Sequence, residues 1–145
     1  MSLTPGRRIA IDVGTVRVGV ARSDESAITI SPLPAVSPDE ILPLIDSWKN
    51  DEDISVIYVG LPKHLSGDEG TSAENARLFA RKIAARYSIP VRLVDERLTT
   101  KSAMDFARKS PENARFDLDS LAAAAILEFA LSGERNLGRF FGEVP

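Results

Sequence analysis

The chain has 145 residues, enough for one domain of ordinary size and too few for a second catalytic domain. Hydrophobic residues make up 43% and charged residues 27%, with nine Gly, nine Pro and a net charge of −3, a balance that excludes disordered and fibrous classes. With no Cys and His64 as the sole His, disulfides, thiolate nucleophiles, iron–sulfur clusters and zinc sites built on Cys or on two His are excluded.

Ile9 to Gly14 and Val18 to Ser23 are apolar β-type runs separated by Thr15-Val16-Arg17, the pattern of a hairpin,. A third strand is predicted at Ile28 to Val36, where Pro32 and Pro34 favour a sheet edge,. Ser37-Pro38-Asp39-Glu40 reads as a helix start with a capping box, and Ile41, Leu44, Ile45 and Trp48 follow at helical spacing, Trp48 as core,. Ile54 to Val59 is a buried parallel strand running into Gly60-Leu61-Pro62,. Thr71 and Glu74 read as a second capping box, opening a helix whose apolar face is Ala76, Phe79, Ala80, Ile83 and Tyr87,. Its other face, Arg77, Arg81, Lys82 and Arg86, reads as a solvated surface rather than an RNA track,.

Val91 to Val94 is a further core strand entering Asp95-Glu96-Arg97, and Thr99 or Thr100 caps a short helix carrying Ala103, Phe106 and Ala107,. The last helix starts near Asp117 to Ser120, is apolar nearly all round, and is closed by Gly133,. The segment 133–145 reads as a tail pinned by Phe140 and Phe141,. The fold expected is α/β, a mixed central sheet of about five strands flanked by helices in a single domain over 1–145. The longest apolar run, Leu121 to Leu131, is broken by Glu128 and is too short for about 30 Å of hydrocarbon,. No membrane span and a cytoplasmic location are expected.

Charge is unevenly distributed. Asp24 to Asp53 carries eight acids against Lys49 alone, a local −7, which leaves +4 on the remainder. That distribution fits two ordinary solvated surfaces and also leaves room for a basic binding face.

Four carboxylates stand at predicted element ends. Asp12 sits inside an apolar strand just before a glycine, either bonded to amides of the adjacent turn or aimed at a ligand,. Asp95 and Glu96 end another strand, where a salt bridge to Arg97 is the alternative. Asp119 lies where a helix begins and is either a cap or a ligand,. Parallel strands bring their C-terminal ends to one edge, so several carboxylates there repel unless cations hold them. Oxygen ligands suit Mg²⁺ or Mn²⁺, and two such ions stabilise both the attacking and leaving oxygens of a phosphodiester.

Four stretches carry a resemblance that covers nearly the whole chain. They are Ile-Asp-Val-Gly-Thr-Val-Arg-Val-Gly-Val-Ala-Arg-Ser-Asp over 11–24, Val59-Gly60-Leu61-Pro62 with Gly67 and Gly70, Asp95-Glu96-Arg97-Leu98-Thr99-Thr100, and Asp119-Ser120-Leu121-Ala122-Ala123 with Ile126-Leu127. In that order they resemble the YqgF-type family of pre-16S ribosomal RNA nucleases, relatives of Holliday junction resolvases in the RNase H-like superfamily. The resemblance implies an RNase H-like fold and metal-dependent endonucleolytic hydrolysis of structured RNA in ribosome biogenesis, at the 5′ end of pre-16S rRNA. It implies Asp12, Glu96 and Asp119 as a catalytic and metal-binding triad for Mg²⁺ or Mn²⁺, two ions together, with Arg17 and Arg97 touching phosphates. Val16 replaces a basic residue common in the family, and 101–119 is shorter and less basic than usual.

Nucleic acid is the expected partner, as pre-rRNA or a DNA junction, with ribosomal particles as a further candidate and a monomer or homodimer as the working unit. The competing readings are a Holliday junction resolvase and a non-catalytic ribosome-assembly factor that binds RNA. His64 reads as a solvated loop residue outside the catalytic set. Asp117 and Asp119 lie two apart, about 200° around a helix, so they cannot both face one site. Asp119 shares its face with Ala122, Ala123 and Ile126 and is the expected ligand, with Asp117 as a cap.

Overall fold

Alternation along β1 (Arg7–Val13) splits its side chains between two environments,. Ile9 and Ile11 enter one buried cluster and Ala10 another, so this strand has protein on both faces. The computed structural model, which describes residues 3–51, 53–99 and 118–145, carries that division across a five-stranded sheet. β1 pairs antiparallel with β2 (Val18–Ser23), which pairs antiparallel with β3 (Ile30–Val36). On its other side β1 runs parallel to β4 (Ile54–Leu61), and β4 parallel to β5 (Val91–Asp95). The order is β3-β2-β1-β4-β5, a mixed sheet flanked by helices as expected.

One face carries large aliphatics. Ile11, Val20, Ile57, Val59 and Leu93 pack there against α1 (Ile41–Asp51) and α2 (Thr71–Arg86). The other face is built from smaller residues, with Ala10, Ala21, Val56 and Val94 lying under Ala123, Ala124, Ile126 and Leu127 of α3 (Leu118–Leu137). Small residues on both surfaces let a helix approach a sheet closely, which is why this long alanine-rich helix is so deeply buried. Trp48 packs against the α1/α2 core as expected, with the Arg22 guanidinium 5.5 Å from its ring centre,.

The start of α1 follows the expected signal, since the Ser37 amide and hydroxyl both donate to the Glu40 carboxylate, at 3.0 and 2.7 Å, and Pro38–Glu40 forms a 3-10 turn,. The second capping box does not form. Gly70 is the N-cap of α2 without a side-chain bond, and Thr71 is already helical. Gly133 does not end α3 either. The helix continues to Leu137, and Gly138, with φ of +71°, follows its end,. Gly133 is needed for packing instead, because a Cβ there would collide with the ring of Phe141. The residues after α3 fold back on the protein. Phe141 stacks edge-on against Phe129, and Leu93 and Glu143 exchange both backbone hydrogen bonds, at 2.8 and 3.0 Å.

At the sheet's far end, where β1 begins, Arg8 is fully buried. Its guanidinium donates to both oxygens of Glu134 on α3, at 3.2 and 2.9 Å, and to the carbonyls of Thr4 and Gly6, both at 2.6 Å. Tyr58 donates to the same carboxylate at 2.9 Å and accepts from the Phe141 amide at 3.1 Å. Burial pushes the Tyr58 hydroxyl up, so it stays protonated as a donor,. Removing one partner of such a pair strands the other charge out of water. Glu134→Ala is therefore expected to lower the unfolding free energy by about 3–5 kcal/mol in urea titration. A loss well under 1 kcal/mol would show that water reaches Arg8 and that the pair is not sealed.

Candidate active site

β1, β4 and β5 are parallel, so their C-terminal ends share one edge of the sheet,. Asp12, half-buried near the end of β1, is paired with Gly19 of β2, and on the β4 side it lies beside Gly60, one residue past the Ile11–Val59 pair. Neither neighbour has a side chain, and the site fills both gaps. A Cβ on Gly19 would collide with the backbone of Asp119, and one on Gly60 with the carboxylate of Glu96 and with Ile126. The first glycine thus lets the start of α3 rest on β2. The second opens a niche in which Glu96 folds inward over β4.

Glu96 opens the 3-10 turn Glu96–Leu98 that follows β5, and the Thr99 hydroxyl closes this turn by donating to the Glu96 carbonyl at 2.9 Å. The helix expected after Thr99 or Thr100, and Asp117, lie outside the described residues. Burial in the niche pushes the Glu96 carboxyl up to about 9, reinforced by its hydrogen bond to Asp12 and by the negative charges of Asp12 and Asp95,. At neutral pH Glu96 therefore keeps its proton. Even so, Glu96 Oε1 is buried with no hydrogen-bond partner, and a buried acceptor left unmatched is costly.

Asp119 occupies the second position of α3 and lines a shallow cavity of about 410 Å³ with Gly14, Thr15, Val16 and Arg17 of the β1–β2 hairpin. The structure thus joins Asp12 and Glu96 directly and sets Asp119 beside them across Gly19. Among the described residues no three His, Asp or Glu side chains already form a set that could hold a metal ion.

Arg17 is exposed in the hairpin cavity. Arg97 is held by Asp95 through three contacts of 2.6 to 3.1 Å from its guanidinium, so the salt bridge weighed from the sequence forms. That pairing, with the Arg97 amide, holds the Asp95 carboxyl below its usual range. His64 is an exposed loop residue whose ring lies against Gly70. In the basic face of α2, Arg77 bonds Glu69 and Glu143, and Arg86 bonds Asp46, so these two are tied to the protein's own carboxylates. The residues that sequence reasoning left out are Gly19 and Gly60. Their signal was available, since a glycine inside an apolar strand marks a close approach by something else.

A five-stranded mixed sheet with an antiparallel β1-β2-β3 meander, a buried helix across one face and two joined carboxylates at the parallel edge defines an RNase H-like nuclease. The fold matches Thermus thermophilus RuvC, solved in complex with a Holliday junction substrate, with a TM-score of 0.56 at 15% identity over 90% of this chain and 96% of that one. Residues 6–133 match the RuvX family, described as Holliday junction resolvase, and the chain belongs to that family of nucleases. A Nocardioides protein named "Putative pre-16S rRNA nuclease" is 42% identical, covering 96% of each chain. A Mycobacterium ulcerans protein of the same name is 44% identical over 91% of this chain and 82% of the relative.

The raised Glu96 carboxyl has a thermodynamic consequence. It binds a proton in the folded state well above the pH at which the unfolded chain releases it, so the stability it contributes is lost as pH rises from about 5 to 9,. Without divalent cations the unfolding free energy should decline over that window, and Glu96→Gln should flatten the decline. Parallel curves for parent and variant would place the titrating group elsewhere.

Proposed function

We propose that this nuclease cuts phosphodiester bonds in structured RNA, maturing the 5′ end of pre-16S rRNA in the cytoplasm, with Asp12, Glu96 and Asp119 as its catalytic and metal-binding residues. The observation that carries the reading is the Asp12–Glu96 pair, in which Glu96 is folded inward against Asp12 while its Oε1 is buried without a partner. An all-oxygen donor set of this kind suits Mg²⁺ or Mn²⁺. A cation taking the proton's place would satisfy the unmatched oxygen and remove the repulsion between the two acids. Bound there, ions of this class supply positive charge to phosphate oxygens and lower the pKa of water.

The chain's own residues do the rest. Gly60 gives Glu96 its inward position, Gly19 fixes the height of α3, and α3 in turn carries Asp119 to the hairpin. In this reading Arg17, beside Asp119, and Arg97, beyond Glu96, bind phosphates on either side of the carboxylates,. The relatives' shared name favours RNA as substrate. The family description and the structural neighbour favour a DNA junction as the second reading.

The deciding experiment incubates the protein with labelled RNAs carrying the pre-16S 5′ region and with four-way DNA junctions, in Mg²⁺ or Mn²⁺. RNA cleavage is expected, falling at least about a hundredfold in Asp12→Asn. The variant's stability without metal should rise or stay level, because the negative charge beside the inward-folded Glu96 is gone. Junction cleavage alone selects the second reading. Unaltered cleavage by Asp12→Asn rejects this catalytic set.

Binding is expected to depend steeply on salt. A protein of net charge −3 must hold nucleic acid through a local patch. The log–log slope with salt should correspond to a few phosphate contacts at about −0.7 to −0.9 each, and a flat response would contradict phosphate binding.

A further inference from the structure

Asp95 and Glu96 are adjacent, yet the sheet sends them to opposite sides. Along β5, Val94 belongs to the core beneath α3, whereas Leu93 belongs to the core beneath α1 and α2. Asp95 follows Leu93 by two residues and pairs with Leu61, which lies in that same α1/α2 core,. Asp12 and the niche over Gly60 are on the α3 side. Both Asp95 oxygens are also engaged, Oδ1 by the Arg97 amide at 3.0 Å and Nε at 3.1 Å, and Oδ2 by Nε at 3.0 Å and Nη2 at 2.6 Å.

The same contacts decide what Arg97 can still do. A guanidinium has five donors arranged in a planar fork. Asp95 takes the edge formed by Nε and Nη2. The opposite edge, Nη1 with the second hydrogen of Nη2, makes only a long 3.5 Å contact with the Leu65 carbonyl among the bonds described. The Arg97 side chain is 32% exposed. Lys63 stands near enough to help hold the Asp95 carboxyl low, and lies 4.0 Å from Glu69. An arginine loose on a surface must freeze its long side chain when it binds an anion, and one already locked in place does not.

From this geometry we infer that Asp95 is a positioning residue rather than a metal ligand: it locks Arg97 so that the outer guanidinium edge forms a binding subsite for a backbone phosphate flanking the one that is cut. This rests on the nuclease reading above. The subsite lies past the end of β5, on the opposite side of the sheet from Asp12. A substrate strand seated there must cross the sheet edge, with one phosphate on Arg97 and a neighbouring one at the carboxylates.

The test is a double-mutant cycle read by binding, with a fluorescein-labelled RNA hairpin as probe and EDTA present, on an Asp12→Asn background. Asp95→Asn keeps an acceptor for the Arg97 amide but loses the ion pair. It should weaken binding about threefold to tenfold, and Arg97→Gln should weaken it at least as much. The double variant should be no worse than Arg97→Gln alone, since Asp95 acts through Arg97. With Asp12 restored, single-turnover cleavage by Asp95→Asn should show a raised half-saturation concentration and a plateau rate within about twofold of the parent. Mn²⁺ affinity should be unchanged, and Asp95→Ser should behave like Asp95→Asn.

Additive losses, unchanged binding, or a fall in Mn²⁺ affinity would overturn the inference. Tighter binding would also overturn it, by showing that Asp95 restrains Arg97. Failure of the nuclease reading looks different, because Asp12→Asn would then cut as well as the parent while the binding cycle kept its outcome.

Discussion

The distance between α3 and the sheet is the constraint from which the rest of this molecule follows. A helix packed on large side chains stands well off a sheet, and one packed on alanine and glycine sinks toward it. Here the α3 side of the sheet carries Ala10, Gly19, Ala21 and Gly60, and the helix answers with Ala123 and Ala124. The depth so reached lets the Asp119 backbone touch β2 and leaves room over β4 for one inward carboxylate. The opposite face, filled by Ile11, Val20, Ile57 and Val59, has no such freedom. The candidate site sits where the side chains are small.

The two ends of that helix interface treat charge in opposite ways. At the start of β1, Arg8, Glu134 and Tyr58 form a sealed network in which both carboxylate oxygens are matched,. At the end of β1, Asp12 meets a Glu96 carboxyl whose Oε1 is left unmatched. Both arrangements bury acidic groups beneath the same helix, and only one is complete. A fold that can satisfy a buried carboxylate at one end and leaves another wanting at the other stores electrostatic tension where a ligand can relieve it. The Arg8 network ties α3 to the start of β1 through Glu134.

The strands could be read from the sequence because β-branched runs such as Ile54 to Val59 and Val91 to Val94 have few other uses. Asp12 was legible as a carboxylate inside such a run. The residues by themselves left Asp95 and Glu96 equivalent, and only the family resemblance singled out Glu96, because the choice depends on which side of the sheet each one meets, and that follows from the pairing of β5 with β4. In the sequence Gly133 has the look of a helix stop, the commonest use of a glycine near a helix end, whereas Phe141, eight residues on, supplies the reason it lies inside a helix,. Arg8 and Glu134, separated by 126 residues, each look like surface charges until α3 is laid on the sheet. Local chemistry can be read locally, and a partner chosen by tertiary register cannot.

The sheet's two margins are finished by different means. β3 carries Pro32 and Pro34, which have no amide hydrogen to offer a neighbouring strand, and β5 is met by the backbone of Glu143 through a reciprocal pair of hydrogen bonds,. Strand-by-strand growth is thereby discouraged at both sides, which guards the sheet against stacking edge to edge into larger aggregates. It also limits how other macromolecules can join this one. They have to meet it through side chains on helices and loops, where recognition depends on charge and shape rather than on a shared backbone ladder.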